Sequence, residues 1–192
     1  MLATLTGIGL SAAAGLNAYI PYLVVALLAR FTDVLTLPES YAWIESPWSI
    51  AVASVLLLSE LVLDKIPVVD HVNDLVATLI RPTVGGLIFA ATTSAAQIDA
   101  SPWMQDNPWV GVALGVVVAG LVHAGKTAAR PIVNVSTLGV ATPVVSAAED
   151  VTSVTLTLVA IFLPLLVILL VVLLGWALVA IARRWRRRAS PV

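Results

Sequence analysis

Residues 151–182 hold 32 consecutive positions without one charged side chain, and no other feature limits the fold so strongly. As a helix this run is about 48 Å long at 1.5 Å per residue. The hydrocarbon layer of a bilayer is about 30 Å thick, so the run must tilt, bend at Pro164 or project into the headgroups. Further uncharged runs cover 1–29, 82–98, 108–125 and 131–148, and 47–63 carries only Glu60. The weakest is 131–148, which Asn134, Ser136, Thr137, Thr142, Pro143 and Ser146 interrupt. Only 11% of the residues are charged and 60% are hydrophobic, whereas soluble domains are about 25% charged. Such material cannot cover a water-facing globule. A soluble enzyme, a nucleic-acid binder and a disordered chain are excluded. The expected fold is all-α, a polytopic transmembrane bundle of about six spans. The N-terminal run has no basic residues ahead of it and stays apolar to Ala29, which reads as a retained first span rather than a cleaved signal.

Charge then orients the spans. Five of the ten basic residues, Arg183, Arg184, Arg186, Arg187 and Arg188, lie in the last ten positions. Arginines beside a span mark the cytoplasmic side and attract anionic lipid headgroups. Loops 31–46 and 97–107 contain Asp33, Glu39, Glu45, Asp99 and Asp106 but no Lys or Arg, while Lys65, Arg81, Lys126 and Arg130 fall in 64–81 and 126–130. Six crossings with both termini cytoplasmic satisfy this pattern except at Arg30. Five crossings would make 131–148 re-entrant and put the ends on opposite sides. Residues 67–80 alternate an apolar helical face with Asp70, Asn73 and Asp74. They form either an interfacial helix or the polar start of the third span.

Sliding the chain by 61 residues lays Pro47-Trp48 on Pro108-Trp109, Lys65 on Lys126 and Pro82 on Pro143. This predicts a two-helix duplication, with one copy at about 47–96 and the other at about 108–157. Parallel repeats of this kind occur in transporters. The chain is expected to be a single transmembrane domain over 1–182, with a basic cytoplasmic tail at 183–192.

Two constellations hold most of the charge near the spans. The first is Glu60, Asp64, Lys65, Asp70, His71, Asp74 and Arg81; the second is His123, Lys126, Arg130, Glu149 and Asp150. Glu60 and Asp64 are four residues apart, as are Asp70 and Asp74, so each pair shares a helix face and repels until a cation joins it. Arg81 or Arg130 is expected within salt-bridge reach of Glu60, Asp64, Asp70 or Asp74. These groups form either a polar site between the two halves or a cytoplasmic rim of snorkelling charges. Their spacing matches no metal-ligand motif, the chain has no cysteine, and no cofactor is expected.

No catalytic residue is identified, and no Ser/His/Asp arrangement, phosphate loop or metalloprotease motif occurs. The strings Gly9-Leu-Ser-Ala-Ala-Ala-Gly15-Leu-Asn-Ala-Tyr19-Ile-Pro21, Glu60…Asp64-Lys65-Ile-Pro67-Val-Val-Asp70-His71, Arg81-Pro82 and Glu149-Asp150 resemble a bacterial multi-pass membrane family known only as a domain of unknown function. The resemblance covers nearly the whole chain and implies a bacterial plasma-membrane protein, with no activity or site residue to carry over. The function expected from the duplication and the paired charges is passage of an ion or a polar or phosphate-bearing solute. A non-transporting scaffold or accessory subunit is the alternative, and a lipid-modifying enzyme a weaker one. The expected partners are the lipid bilayer, anionic headgroups at the arginine tail, and an ion or small polar solute. A homo-oligomer is left open, and nucleic acid is not a partner.

Overall fold

The computed structural model describes residues 1–65, 69–95, 102–137 and 140–188, with the side chains of 69–72, 105, 132–136, 178 and 181–188 outside that description. All regular structure among the described residues is helical. The helices are α1 (Leu2–Leu16), α2 (Tyr19–Phe31), α3 (Pro47–Leu63), α4 (Val69–Thr93), α5 (Pro102–Asp106), α6 (Pro108–Thr137), α7 (Thr142–Phe162) and α8 (Val167–Arg188). Three segments are long and apolar enough to cross a membrane, Asn73–Thr93, Pro108–Pro131 and Thr142–Phe162. The 3-10 turn Glu39–Glu45 and α3, bent by 53°, pass together as a fourth candidate, a broken span or a re-entrant loop.

At the centre stands α1, packed against α4, α6 and α7. Eleven of its fifteen residues are buried, because Gly7, Gly9, Ser11, Ala12, Ala13, Ala14 and Gly15 give it a thin profile on every side. Small residues let backbones approach where lipid supplies no hydrophobic driving force between helices. The α4–α6 contact uses the same device. A Cβ on Gly85 would lie 2.5 Å from the Ala119 Cβ and 3.0 Å from the Gly115 carbonyl, so only glycine fits there.

The expected span boundaries change in three places. Residues 1–29 do not form one span. At Asn17 the backbone turns extended (φ −146°, ψ 117°). Its Oδ1 accepts from the Tyr19 and Ile20 N–H groups at 3.1 and 3.3 Å, starting a new helix. Pro21 falls in the first turn of α2, where its missing N–H costs nothing, whereas a continuous helix would lose a bond there. The two helices run in opposite directions. At the start of α1 the Thr4 hydroxyl is 3.5 Å from Met104 Sδ. Its last residue, Leu16, accepts from Lys126, and α2 leads back to Arg30, which donates to the Glu45 carbonyl at 3.0 Å.

Residues 131–148 are not a crossing either. Helix α6 continues through Pro131 to Thr137, and Pro143 sits in the first turn of α7, where a proline is well placed. Residues 67–80 fall into the polar start of α4 rather than a separate interfacial helix over the part described. Lastly, the long run 151–182 bends at Pro164, as the bilayer's thickness requires. It reverses through the 3-10 turn Pro164–Leu166, so that Ala160 and Val167 both lie against Gly9. From there α8 passes Ala12, Ala13 and Leu16 through Leu170 and Leu174.

These directions also correct the expectation of both termini on one side. Met1 lies at the end of the acidic loops, while α8 runs toward the opposite end. The hinge at Asn17 is the cause. Trp48, Trp103 and Trp109 are exposed at the acidic-loop end, where amphipathic rings favour a membrane–water boundary.

Candidate functional site

The end of the bundle opposite the acidic loops gathers the charged side chains. Each arrives by local logic. Ser46 caps α3 by accepting from the Ser49 N–H, which starts the helix so that Glu60 lies 13 positions along it and Asp64 at its C-terminus. Helix α4 brings Asp74, Thr78 and Arg81 on one face by spacings of four and three, with Asn73 beside Asp74. Helix α6 does the same for His123, Lys126 and Arg130, and α7 supplies Glu149 and Asp150.

Arg81, fully buried, donates through Nη2 to Glu60 Oε1 at 2.6 Å, and its other ion-pair contacts are Asp74 at 3.5 Å and Asp64 at 3.8 Å. Lys126 Nζ is 3.1 Å from Glu149, 3.5 Å from Asp64 and 3.9 Å from Asp74, and donates to the Leu16 carbonyl at 3.0 Å. Arg130 pairs with Glu149, with Asp64 at 3.1 Å and with Asp74 at 3.5 Å. The expected reach of Arg81 and Arg130 to these carboxylates is therefore present for Glu60, Asp64 and Asp74. Asn73 donates to Asp64 Oδ1 at 2.5 Å. Burial by itself would push the Asp64 carboxyl up. Lys126, Arg130, the Asn73 hydrogen bond and Arg81 outweigh it and hold Asp64 below the usual carboxylate range.

His123 Nδ1 lies 3.0 Å from Arg81 Nη1. A guanidinium can only donate, so Nδ1 carries the lone pair and Nε2 the hydrogen. Nε2 then donates to the Thr78 hydroxyl at 3.0 Å, and Thr78 donates onward to the Asp74 carbonyl at 2.8 Å. The imidazole is neutral and held between α4 and α6.

Lys65 and Asp150 occupy the edge of the network, 3.9 Å apart, with Asp150 also accepting from Asn17 at 2.9 Å. Lys65 is 41% exposed where Lys126 is 1%. The side chains of Asp70 and His71 lie outside the described residues. Of the residues singled out by spacing, the fold brings Glu60, Asp64, Asp74, Arg81, His123, Lys126, Arg130 and Glu149 into one buried network. Asn17 and Asn73, polar positions already visible in the sequence, join it through Asp150 and Asp64, and Thr78, which was not singled out, joins through His123. A helix-face reading of 73–81 contains the signal for Asn73 and Thr78.

The network spans the halves of the chain. Glu60, Asp64, Asp74 and Arg81 carry a net −2 and face Lys126, Arg130 and Glu149 with a net +1. Four carboxylates thus meet three cations. A cavity of about 180 Å³ reaches it from one side, between α2, α3 and α4, and Tyr19, Glu60, Asn73 and Arg81 line it. Glu60 Oε2 and Arg81 Nε have no hydrogen-bond partner. Among the described residues no group of three His, Asp or Glu is disposed to hold a metal ion.

No curated protein and no solved structure matches the chain. Residues 4–184 match the family described as the domain of unknown function DUF4126. That match runs through every helix of the bundle and every member of the buried network, and the chain belongs to the DUF4126 family.

Proposed function

We propose that this chain is a multi-pass protein of the bacterial plasma membrane that moves an ion or a small polar solute, with the buried network as its gate; the surplus carboxylate disfavours a phosphate-bearing solute. One observation carries the reading. Four carboxylates share a water-poor site with three cations, and an uncompensated carboxylate there is costly. A proton or small cation neutralises the surplus. Asp74 is the exchanging group: its three cations stand at 3.5, 3.5 and 3.9 Å, and Oδ1 has no hydrogen-bond partner. Taking up and releasing one positive charge there switches the network between balanced and repelling states. No step of this reading is catalytic.

The network end is cytoplasmic by its Lys and Arg content, and the arginine tail meets anionic headgroups on that side. We assign α3, α4, α6, α7 and α8 as crossings. At 15 and 13 residues, α1 and α2 are about 22 and 20 Å long and form a hairpin entering from the outer side. The six-crossing count treats 1–29 and 131–148 as one crossing each. We restrict the 61-residue repeat to 47–65, which is α3 and the two residues after it, and 108–126 of α6. Both begin at an exposed Pro-Trp, and their lysines meet the adjacent acids Asp150 and Glu149.

The density of mutual pairing favours a second reading, a non-transporting scaffold. Proteoliposomes loaded with pH- and ion-sensitive dyes separate the two. Transport requires a dye response with the native chain and its loss in Asp74→Asn with the fold retained. Silence across the whole ion panel assigns the scaffold.

A further inference from the structure

Helix α3 stands partly away from the bundle, burying only Ala53 and Glu60. Between it, α2 and α4 runs an open groove of about 610 Å³, walled by Tyr22, Trp43, Trp48, Val52, Ala53 and Leu87. The groove shares Tyr19, Leu56 and Ile80 with the 180 Å³ cavity that reaches Glu60 and Arg81. The groove at the tryptophan end and the cavity at the charged network thus adjoin at these three side chains. From Trp48 to Glu60 is twelve residues of α3, or about 18 Å.

We propose that groove and cavity together bind one long-chain monoacyl amphiphile with an uncharged, hydroxyl-bearing head. The acyl chain lies along the groove, and the head reaches Glu60 and Arg81. Two observations at the polar end choose the head. Glu60 is 5% and Arg81 0% exposed, both line the cavity, and each keeps one atom, Oε2 and Nε, without a hydrogen-bond partner. A buried acceptor and a buried donor left unmade cost free energy, and a hydroxyl both donates and accepts. An anionic head is rejected by the surplus carboxylate of the network. The walls choose the tail, since they present almost only carbon to a groove that opens toward the bilayer. The inference needs no ion flux and stands apart from the transport reading.

The test uses the purified full chain in detergent micelles, titrated with monoolein and followed by native mass spectrometry. Saturating one-to-one binding is expected. Methyl oleate, which has no donor for Glu60, should bind about tenfold more weakly or worse, the factor for a lost hydrogen bond to a charged group. Phosphatidylglycerol should be weaker still. Leu56→Trp fills the junction of groove and cavity and should weaken monoolein by about tenfold or more. Leu158→Trp, on the exposed face of α7, should leave it unchanged. Should Leu56→Trp fail to elute as a single species, Val52→Trp at the exposed wall of the groove carries the same expectation. Non-saturating uptake equal in all variants would identify annular lipid and overturn the site. Equal binding of monoolein and methyl oleate would overturn the head assignment.

Discussion

Helices α3 and α6 begin alike and end in different worlds. Each opens on Pro-Trp, and each places a lysine the same number of residues further on. Helix α6 packs against α1 and α4 along its length, so its lysine is buried among Asp64, Asp74 and Glu149. Helix α3 touches the bundle lightly, and its lysine reaches the surface beside Asp150. The pattern is shared, but the surroundings decide the electrostatics. A buried charge that loses its partner leaves another charge uncompensated in low dielectric, while an exposed one is taken up by water.

The sharpest test of that contrast removes the buried cation. Lys126→Met should destabilise the fold by about 3–5 kcal/mol, the usual consequence of breaking a buried pair from one side. Thermal melts in detergent measure it, and a loss under about 1 kcal/mol would erase the difference between the helices. Next in size is the close approach on which α6 depends. Gly85→Val forces α4 from Ala119 and Gly115 and should cost about 1–3 kcal/mol, as overpacking does, with the larger share in slower refolding if the α4–α6 contact forms early. The hinge comes third. Asn17→Ala removes both the cap of α2 and the bond to Asp150, and should cost about 1–2 kcal/mol. A cysteine-accessibility scan should then find residues 17–19 newly reactive.

Lys65→Met is expected to change stability by less than about 1 kcal/mol, as exposed pairs do. A loss as large as that of Lys126→Met would mean that the two lysines share one environment. The last test lies at low pH rather than neutral pH and concerns Asp64. Its folded carboxyl titrates below the ordinary 3.8, so its contribution is complete above that value and disappears as pH falls through the lower folded value. Melting temperature should therefore drop in strong acid. In Asp64→Asn that component of the drop should be missing.

Much of this was legible one residue at a time. Uncharged runs announced helices for a membrane, and the excess length of a 48 Å straight span left tilt, projection or a bend at Pro164, of which the fold takes the bend. Helical spacing put Glu60 with Asp64, and the need to balance their charge pointed to Arg81 and Arg130, which both reach Asp64 and Asp74. Hydropathy, however, treats 1–29 as a single run because Asn17 and Pro21 hardly lower its average. The break is made locally by the Asn17 cap on Tyr19 and Ile20 and secured by Asp150, 133 positions away, which takes the Asn17 amide. The run 131–148 misleads for the same reason: its uncharged average conceals the end of α6 and the proline that starts α7.

Sequence alone settles the class of solvent, the helical period and the sign of charge at each loop, because these are local and additive along the chain. It cannot settle depth. Whether a lysine is a rim charge or the centre of a network depends on which helices enclose it, and that is fixed by small residues meeting across α1, α4 and α6. The repeat made Lys65 and Lys126 equivalent, and tertiary packing made them unlike, since desolvation is a property of surroundings rather than of a residue.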